Sequence, residues 1–314
     1  MRPDGDTASG VAVTWQLSLT GLLIGVLVGL TGMGGGSLLT PILVIFFGFK
    51  PTLAVGTDVL HGAVFKTFGA IRHRRLGTVH ARLTVWMFLG SGPMSLLGVA
   101  LATVLKHRYG DGAQSVEAYA VGAALVLGGA GLVAKTFVKR GIQPTNAPFL
   151  LTNRDRLRAF VIGATCGFIV GLTSVGSGTF FGLMMVLLFP LTIPKIVGTD
   201  IFHAAALLWV AGAGHLFAGN VDVRAMGWLL LGSVPGILLA SQLTLKVPER
   251  ALRLSLAGVL MLSGLKLVEV PESNVVITVG MGAGACALAV WGIRTWLRRA
   301  AAAAQARPVG ELQR

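Results

Sequence analysis

Along the chain, apolar stretches of eleven to twenty-four residues alternate with short polar or charged ones, covering 13–30, 37–47, 51–71, 83–105, 118–134, 159–172, 179–189, 194–217, 225–245, 251–268 and 274–293. An α-helix needs about 20 residues to cross the roughly 30 Å hydrocarbon core of a bilayer. Most of these stretches have that length. The stretches 37–47 and 179–189 hold eleven residues and 159–172 holds fourteen, so they predict broken or re-entrant helices. The pattern predicts an all-α polytopic membrane protein, with about 7–9 transmembrane helices plus discontinuous or re-entrant half-helices.

Loop charge orients these segments. Arg72, Arg74, Arg75 and Arg82 occur without an acid in 72–82, and Lys135, Lys139, Arg140, Arg154, Arg156 and Arg158 face only Asp155 in 135–158. By the positive-inside rule both segments are cytoplasmic. The stretch 106–117, where Lys106 and Arg108 are balanced by Asp111 and Glu117, reads as external. Arg294, Arg298 and Arg299 place the tail inside, and counting back through the crossings, with each short pair forming a hairpin, puts the N-terminus outside. Asp4 and Asp6 near the start do not suit the positive n-region of a cleavable signal, so 13–30 reads as the first membrane helix.

Sliding the chain by 142 residues lays 29–105 on 171–247 without a gap, with 25 of 77 positions identical. Gly29, Leu30, Thr31, Gly34 and Gly36 meet Gly171, Leu172, Thr173, Gly176 and Gly178. Val55, Gly56, Thr57, Asp58 and His61 meet Val197, Gly198, Thr199, Asp200 and His203, while Trp86, Gly90, Ser91 and Pro93 meet Trp228, Gly232, Ser233 and Pro235. The basic loop 72–82 corresponds to the nearly neutral 214–224, which predicts two repeats of opposite orientation. Inverted repeats are a transporter architecture, with the binding site between the repeats on discontinuous helices. The expected organisation is an N-terminal tail (1–12), membrane repeat 1 (13–138), a basic cytoplasmic linker (139–158), membrane repeat 2 (159–297) and a cytoplasmic tail (298–314).

Composition narrows the function. Charged residues make up 12% of the chain and apolar ones 54%, against about 25% charged in soluble proteins, which excludes an ordinary soluble enzyme. The net charge of +14 sits in short loops and the tail, so it reads as topology rather than nucleic-acid binding. Cys166 and Cys286 lie in apolar stretches and predict neither a disulfide nor a metal site.

Candidate chemistry concentrates at the two glycine-rich interruptions. Thr31, Gly32, Gly34, Gly35, Gly36 and Ser37, and in the second copy Thr173, Ser174, Gly176, Ser177, Gly178 and Thr179, are candidate substrate-binding residues. Unwound backbone is tolerated at membrane depth only where protein or a water-filled cavity satisfies it, and a following half-helix points its positive dipole end at an anion. The alternative is tight helix packing through small residues. A nucleotide P-loop does not fit, since neither motif ends in Gly-Lys-Ser/Thr. Thr57 and Thr199 are further binding candidates beside the breaks. Asp58, His61, Asp200 and His203 are ionisable groups inside apolar segments, with proton coupling and structural bridging both open. Lys66, matched by Leu208, could supply positive charge to a substrate anion, but reads rather as a side chain snorkelling to the nearby cytoplasmic surface. Trp86 and Trp228 read as interfacial anchors.

The Gly-Leu-Thr-Gly-Met-Gly-Gly-Gly-Ser turn at 29–37, its second copy and the paired Val-Gly-Thr-Asp segments resemble the TauE/SafE sulfite exporter family. The resemblance implies a multi-pass permease of the bacterial inner membrane that exports a small inorganic or organosulfur anion such as sulfite or sulfoacetate. It is not an enzyme and needs no cofactor on this reading. Its partners would be the anion and the lipid bilayer, with homo-oligomerisation left open and no nucleic acid. Two departures stand out: many relatives have Ser where this chain has Asp58 and Asp200, and the second motif is less glycine-rich than the first. Divalent-metal transport through the Asp/His pairs, and a membrane-embedded enzyme or assembly subunit, stay open as alternatives.

Overall fold

A computed structural model describes residues 14–31, 36–109, 111–137, 149–242 and 249–268. They belong to one compact unit, Met1–Val270. Among them all regular structure is helical: α1 (Thr14–Thr31), α2 (Gly36–Phe47), α3 (Pro51–Arg75), α4 (Ala81–Tyr109), α5 (Asp111–Phe137), α6 (Asn153–Thr173), α7 (Phe180–Leu188), α8 (Ile193–Phe217), α9 (Val223–Gln242) and α10 (Glu249–Leu267). The apolar stretch expected at 274–293 lies outside the described residues.

Among the described residues, four helical segments are long and apolar enough to cross a membrane: Ala81–Tyr109, Gln114–Phe137, Asn153–Thr173 and Ile193–Phe217. The short stretches behave as their lengths require, α2 having 12 residues and α7 only 9. At 1.5 Å per residue α7 covers about 14 Å, roughly half a bilayer core. The segment 159–172 belongs to a longer helix. A capping box at Thr152 and Asp155 starts α6 at Asn153, among the arginines that precede the apolar stretch. Thr152 Oγ1 accepts from Asp155 N at 3.3 Å, and Asp155 Oδ2 accepts from Thr152 N at 3.1 Å, satisfying donors that a helix start leaves open.

Equivalent helices share boundaries as well as sequence. Shifted by 142, α3 superposes on the bounds of α8 and the start of α4 on the start of α9. Both α3 and α8 begin with a proline in the first turn and end in a Schellman turn. Gly77 (φ 67°) and Gly219 (φ 68°) occupy the left-handed position that favours glycine there.

Packing follows the same correspondence. The most extensive interfaces are α4 with α6 and α1 with α9, which exchange under the shift, followed by α3 with α8 and α5 with α10. Close contacts give the helix directions. Along α4 and α6, Met87 meets Gly163, Ser91 meets Gly167 and Ser95 meets Gly171, so the pair is parallel. Along α3 and α8, Gly56 meets His215, Gly62 meets Leu208 and Gly69 meets Ile201, so these run antiparallel.

Small residues spaced by four let the parallel pairs approach backbone to backbone. A Cβ on Gly163 would collide with the Met87 carbonyl oxygen, and one on Gly21 with its counterpart on Leu229. Gly163→Leu and Gly21→Leu are therefore expected to lower the melting temperature in detergent by similar amounts, each from an overpacking cost of about 1–3 kcal/mol. Scanning fluorimetry of both proteins checks this.

Side chains are distributed as lipid requires. Val85, Leu89, Leu96 and Leu97 of α4 are exposed, whereas Thr40, Asp58, His61, Lys66, Ser91, Asp200, His203 and Ser233 are buried. Polar groups at membrane depth belong in the bundle interior, where other protein groups satisfy them.

Candidate functional site

The best-defined candidate site is the second glycine break, between α6 and α7. Ser174 caps α6 in the left-handed region (φ 63°), its N–H bonded to Val170 O at 2.8 Å. Gly176 (φ 121°) and Gly178 (φ 105°) turn the chain back before α7 starts at Phe180. Thr173 Oγ1 donates to Ile169 O at 2.7 Å and accepts from Val175 N at 3.2 Å, tying the turn to the end of α6. Ser177 and Thr179 are buried, and Thr179 stands at the start of α7 with its Oγ1 unpartnered among the described residues.

The first break is only bracketed. Gly32, Gly34 and Gly35 lie outside the described residues, as do the side chains of Thr31, which ends α1, and Ser37; Gly36 opens α2.

Asp58 joins the neighbourhoods of the two breaks. Its Oδ2 accepts from Thr40 N at 3.1 Å and Thr40 Oγ1 at 2.5 Å on α2, and from Ser174 Oγ at 2.8 Å. The repeat does not reproduce this. Positions equivalent to Thr40 and Ser174 are Gly182 and Gly32, so Asp200 lacks those hydroxyls. It lies instead near Lys135: a Cβ on Gly182 would stand 2.5 Å from Lys135 Nζ and 3.4 Å from Asp200 Oδ2.

Lys66 does not snorkel. It is 4% exposed, and Nζ donates to Ser177 Oγ at 2.8 Å and Ser177 O at 3.4 Å. The second break therefore offers a closer polar partner than the membrane surface. Hydropathy missed Lys66 because Ser177 is 111 residues away.

The histidines form symmetric ties across the repeats. His61 Nε2 and Ser233 Oγ are 2.9 Å apart, as are His203 Nε2 and Ser91 Oγ. Ser91 and Ser233 were missed as site residues, although their repeat equivalence, with a proline two residues on in each copy, is visible in the sequence. Phe65 stacks on His61 with centroids 5.7 Å apart, and Phe181 lies 4.5 Å from the His203 ring.

Thr57 and Thr199 are engaged elsewhere, also symmetrically. Thr57 Oγ1 accepts from Asp222 N at 3.0 Å and Thr199 Oγ1 from His80 N at 2.9 Å. Each hydroxyl thus holds the loop that enters α9 or α4. Thr57 lies about 14 Å along α3 from Lys66 at 1.5 Å per residue. Among the described residues no group of three or more His, Cys, Asp and Glu could hold a metal ion. Cys166 is a buried free thiol, and Cys286 lies outside the described residues.

A multi-pass helical bundle with buried ionisable groups and an interrupted helix fits a membrane transporter. A family model described as "Sulfite exporter TauE/SafE" matches residues 17–267, and the chain belongs to that family. It is 37% identical over 255 residues to a "Probable membrane transporter protein YjnA" of Bacillus subtilis strain 168, covering 81% of this chain and 99% of that relative. It is also 24% identical over 233 residues to "Probable membrane transporter protein YdhB" of the same organism, covering 74% and 90%, and 23% identical over 266 residues to "Probable membrane transporter protein YunE", covering 80% and 96%. No solved structure matches.

Proposed function

We propose that this transporter moves small anions across the bacterial inner membrane, exporting sulfite or an organosulfonate by alternating access between two inverted repeats. The observation that carries the reading is the second break: a left-handed turn with buried Ser177 and Thr179 hydroxyls at the positive end of α7, a donor-rich environment suited to an acceptor-only solute. The antiparallel run of α3 against its equivalent α8 supports inversion. If equivalent helices point opposite ways, so do the halves that carry them.

The paired contacts suggest how the halves move. The two His–Ser ties have the same 2.9 Å length, and the two threonines hold the loops entering α4 and α9 at nearly equal distances. In the proposed cycle, loosening one set while keeping the other opens the site to one side, and the reverse opens it to the other. No bound nucleotide is required, because the substrate gradient or a coupled proton drives the exchange.

Purified protein in proteoliposomes is expected to release labelled sulfite or sulfoacetate saturably, at least tenfold faster than empty vesicles, with a rate that responds to an imposed pH gradient. Release no faster than from empty vesicles for both anions would remove this substrate class.

A further inference from the structure

Lys66 is a buried cation on α3. A neutral serine cannot balance an ammonium inside a membrane bundle, and the charge that faces it comes from Asp58 and Asp200, both in electrostatic contact with it. Its hydrogen bonds nevertheless go to Ser177, in the middle of the break. Two residues on, the Thr179 hydroxyl is 5% exposed and has no partner among the described residues. The second break thus holds a cation on Ser177 and, at the start of α7, a buried hydroxyl with no hydrogen-bond partner among the described residues.

The repeat makes this feature one-sided. Leu208 stands where Lys66 would recur, and Gly35 where Ser177 would. Any site built on this cation therefore exists once per chain, at the second break, off the symmetry that relates the halves.

We propose that Lys66 is a substrate-binding residue and that one small oxyanion per chain docks at the second break, taking Lys66 Nζ from Ser177 and accepting from the Ser177 and Thr179 hydroxyls. This rests on the anion-transport reading and adds to it the cation, the copy of the break that is used and the stoichiometry. Ammonium suits the task as a compact charge with three donors, so it exchanges a serine oxygen for a substrate oxygen without repacking the turn.

Calorimetric titration of the detergent-purified full chain with sodium sulfite and with sodium sulfoacetate tests the proposal. Wild type is expected to bind one of them at one per chain, Lys66→Met at least about tenfold more weakly, and Lys66→Arg within a few-fold of wild type. Lys66→Met leaves Asp58 and Asp200 less compensated, so Thr179→Val serves as a second variant, folded by gel filtration and expected to bind several-fold more weakly. Unchanged affinity in Lys66→Met or in Thr179→Val, or two anions per wild-type chain, would overturn the assignment while leaving anion transport standing. No binding of either anion by wild type would overturn the sulfite and organosulfonate reading together with it.

Discussion

Flux through a Gly176→Leu protein is expected to fall by at least about a hundredfold, with membrane insertion and monodispersity in detergent retained. Gly176 has φ 121°, which L side chains rarely adopt, and its Cβ would stand 2.7 Å from the Phe180 ring and 3.3 Å from Val170. The backbone strain alone costs about 1–3 kcal/mol. The collision adds to it and falls on the residue that opens α7, so relief displaces Thr179 and Ser177 together. The bundle itself is held by α4 against α6 and α1 against α9, interfaces that this turn does not form, which is why the loss should be functional rather than global. Gly176→Ala shares the φ strain but is smaller, and should lie between. Efflux from proteoliposomes, normalised to inserted protein, distinguishes the three, and wild-type flux in Gly176→Leu would take the second break off the substrate path.

The repeat was the most informative feature of the sequence because it constrains structure twice. Once 51–71 reads as a helix, its copy at 194–217 must be one too, and the bounds of α3 and α8 agree to the residue under the 142 shift. What a repeat cannot tell is which partner each copied group finds. His61 and His203 were visible as a pair, yet their serines lie 172 and 112 residues away, on helices of the other half. Thr57 and Thr199 are polar, duplicated and next to an aspartate, which marks them as candidates; that their oxygens accept from the backbone of the loops entering α9 and α4 is a contact the repeat alone does not name.

Asymmetric residues were harder still. Thr40, Lys66 and Ser174 have Gly182, Leu208 and Gly32 as counterparts, so the shift itself does not single them out; Ser174 is a candidate only through its place in the break, and the bonds around Asp58 and Ser177 are made by these unmatched side chains. Hydropathy also set the start of 159–172 too late, since it registers apolar residues while a helix begins at its cap, here Thr152. Among 44 glycines, those at the breaks stood out by clustering. Gly163, Gly167 and Gly171, four apart within an apolar helix, matter through the backbone of α4, a partner the local sequence does not name.

Asp58→Leu is expected to prevent accumulation of folded protein, whereas Asp58→Asn should fold and carry anion at close to the wild-type rate. The carboxylate is the shared acceptor for Thr40 N, Thr40 Oγ1 and Ser174 Oγ. Leucine would remove it and leave those buried donors unsatisfied, at about 1–3 kcal/mol for each group that finds no other partner. Asparagine keeps one oxygen in the same place and a similar volume, so α2 and the Ser174 turn stay joined. The pair of variants therefore separates two roles that coincide in the native residue. If Asp58 only bridges, Asp58→Asn retains both downhill flux and its acceleration by an imposed pH gradient. If it also carries the coupled proton, the fold and the downhill flux survive but the acceleration is lost. Three donors already converge on Oδ2, a commitment that Asp200 lacks at the equivalent positions, and bridging is accordingly the expected outcome for Asp58. Loss of the gradient response in Asp58→Asn, with folding intact by gel filtration, would reverse that assignment.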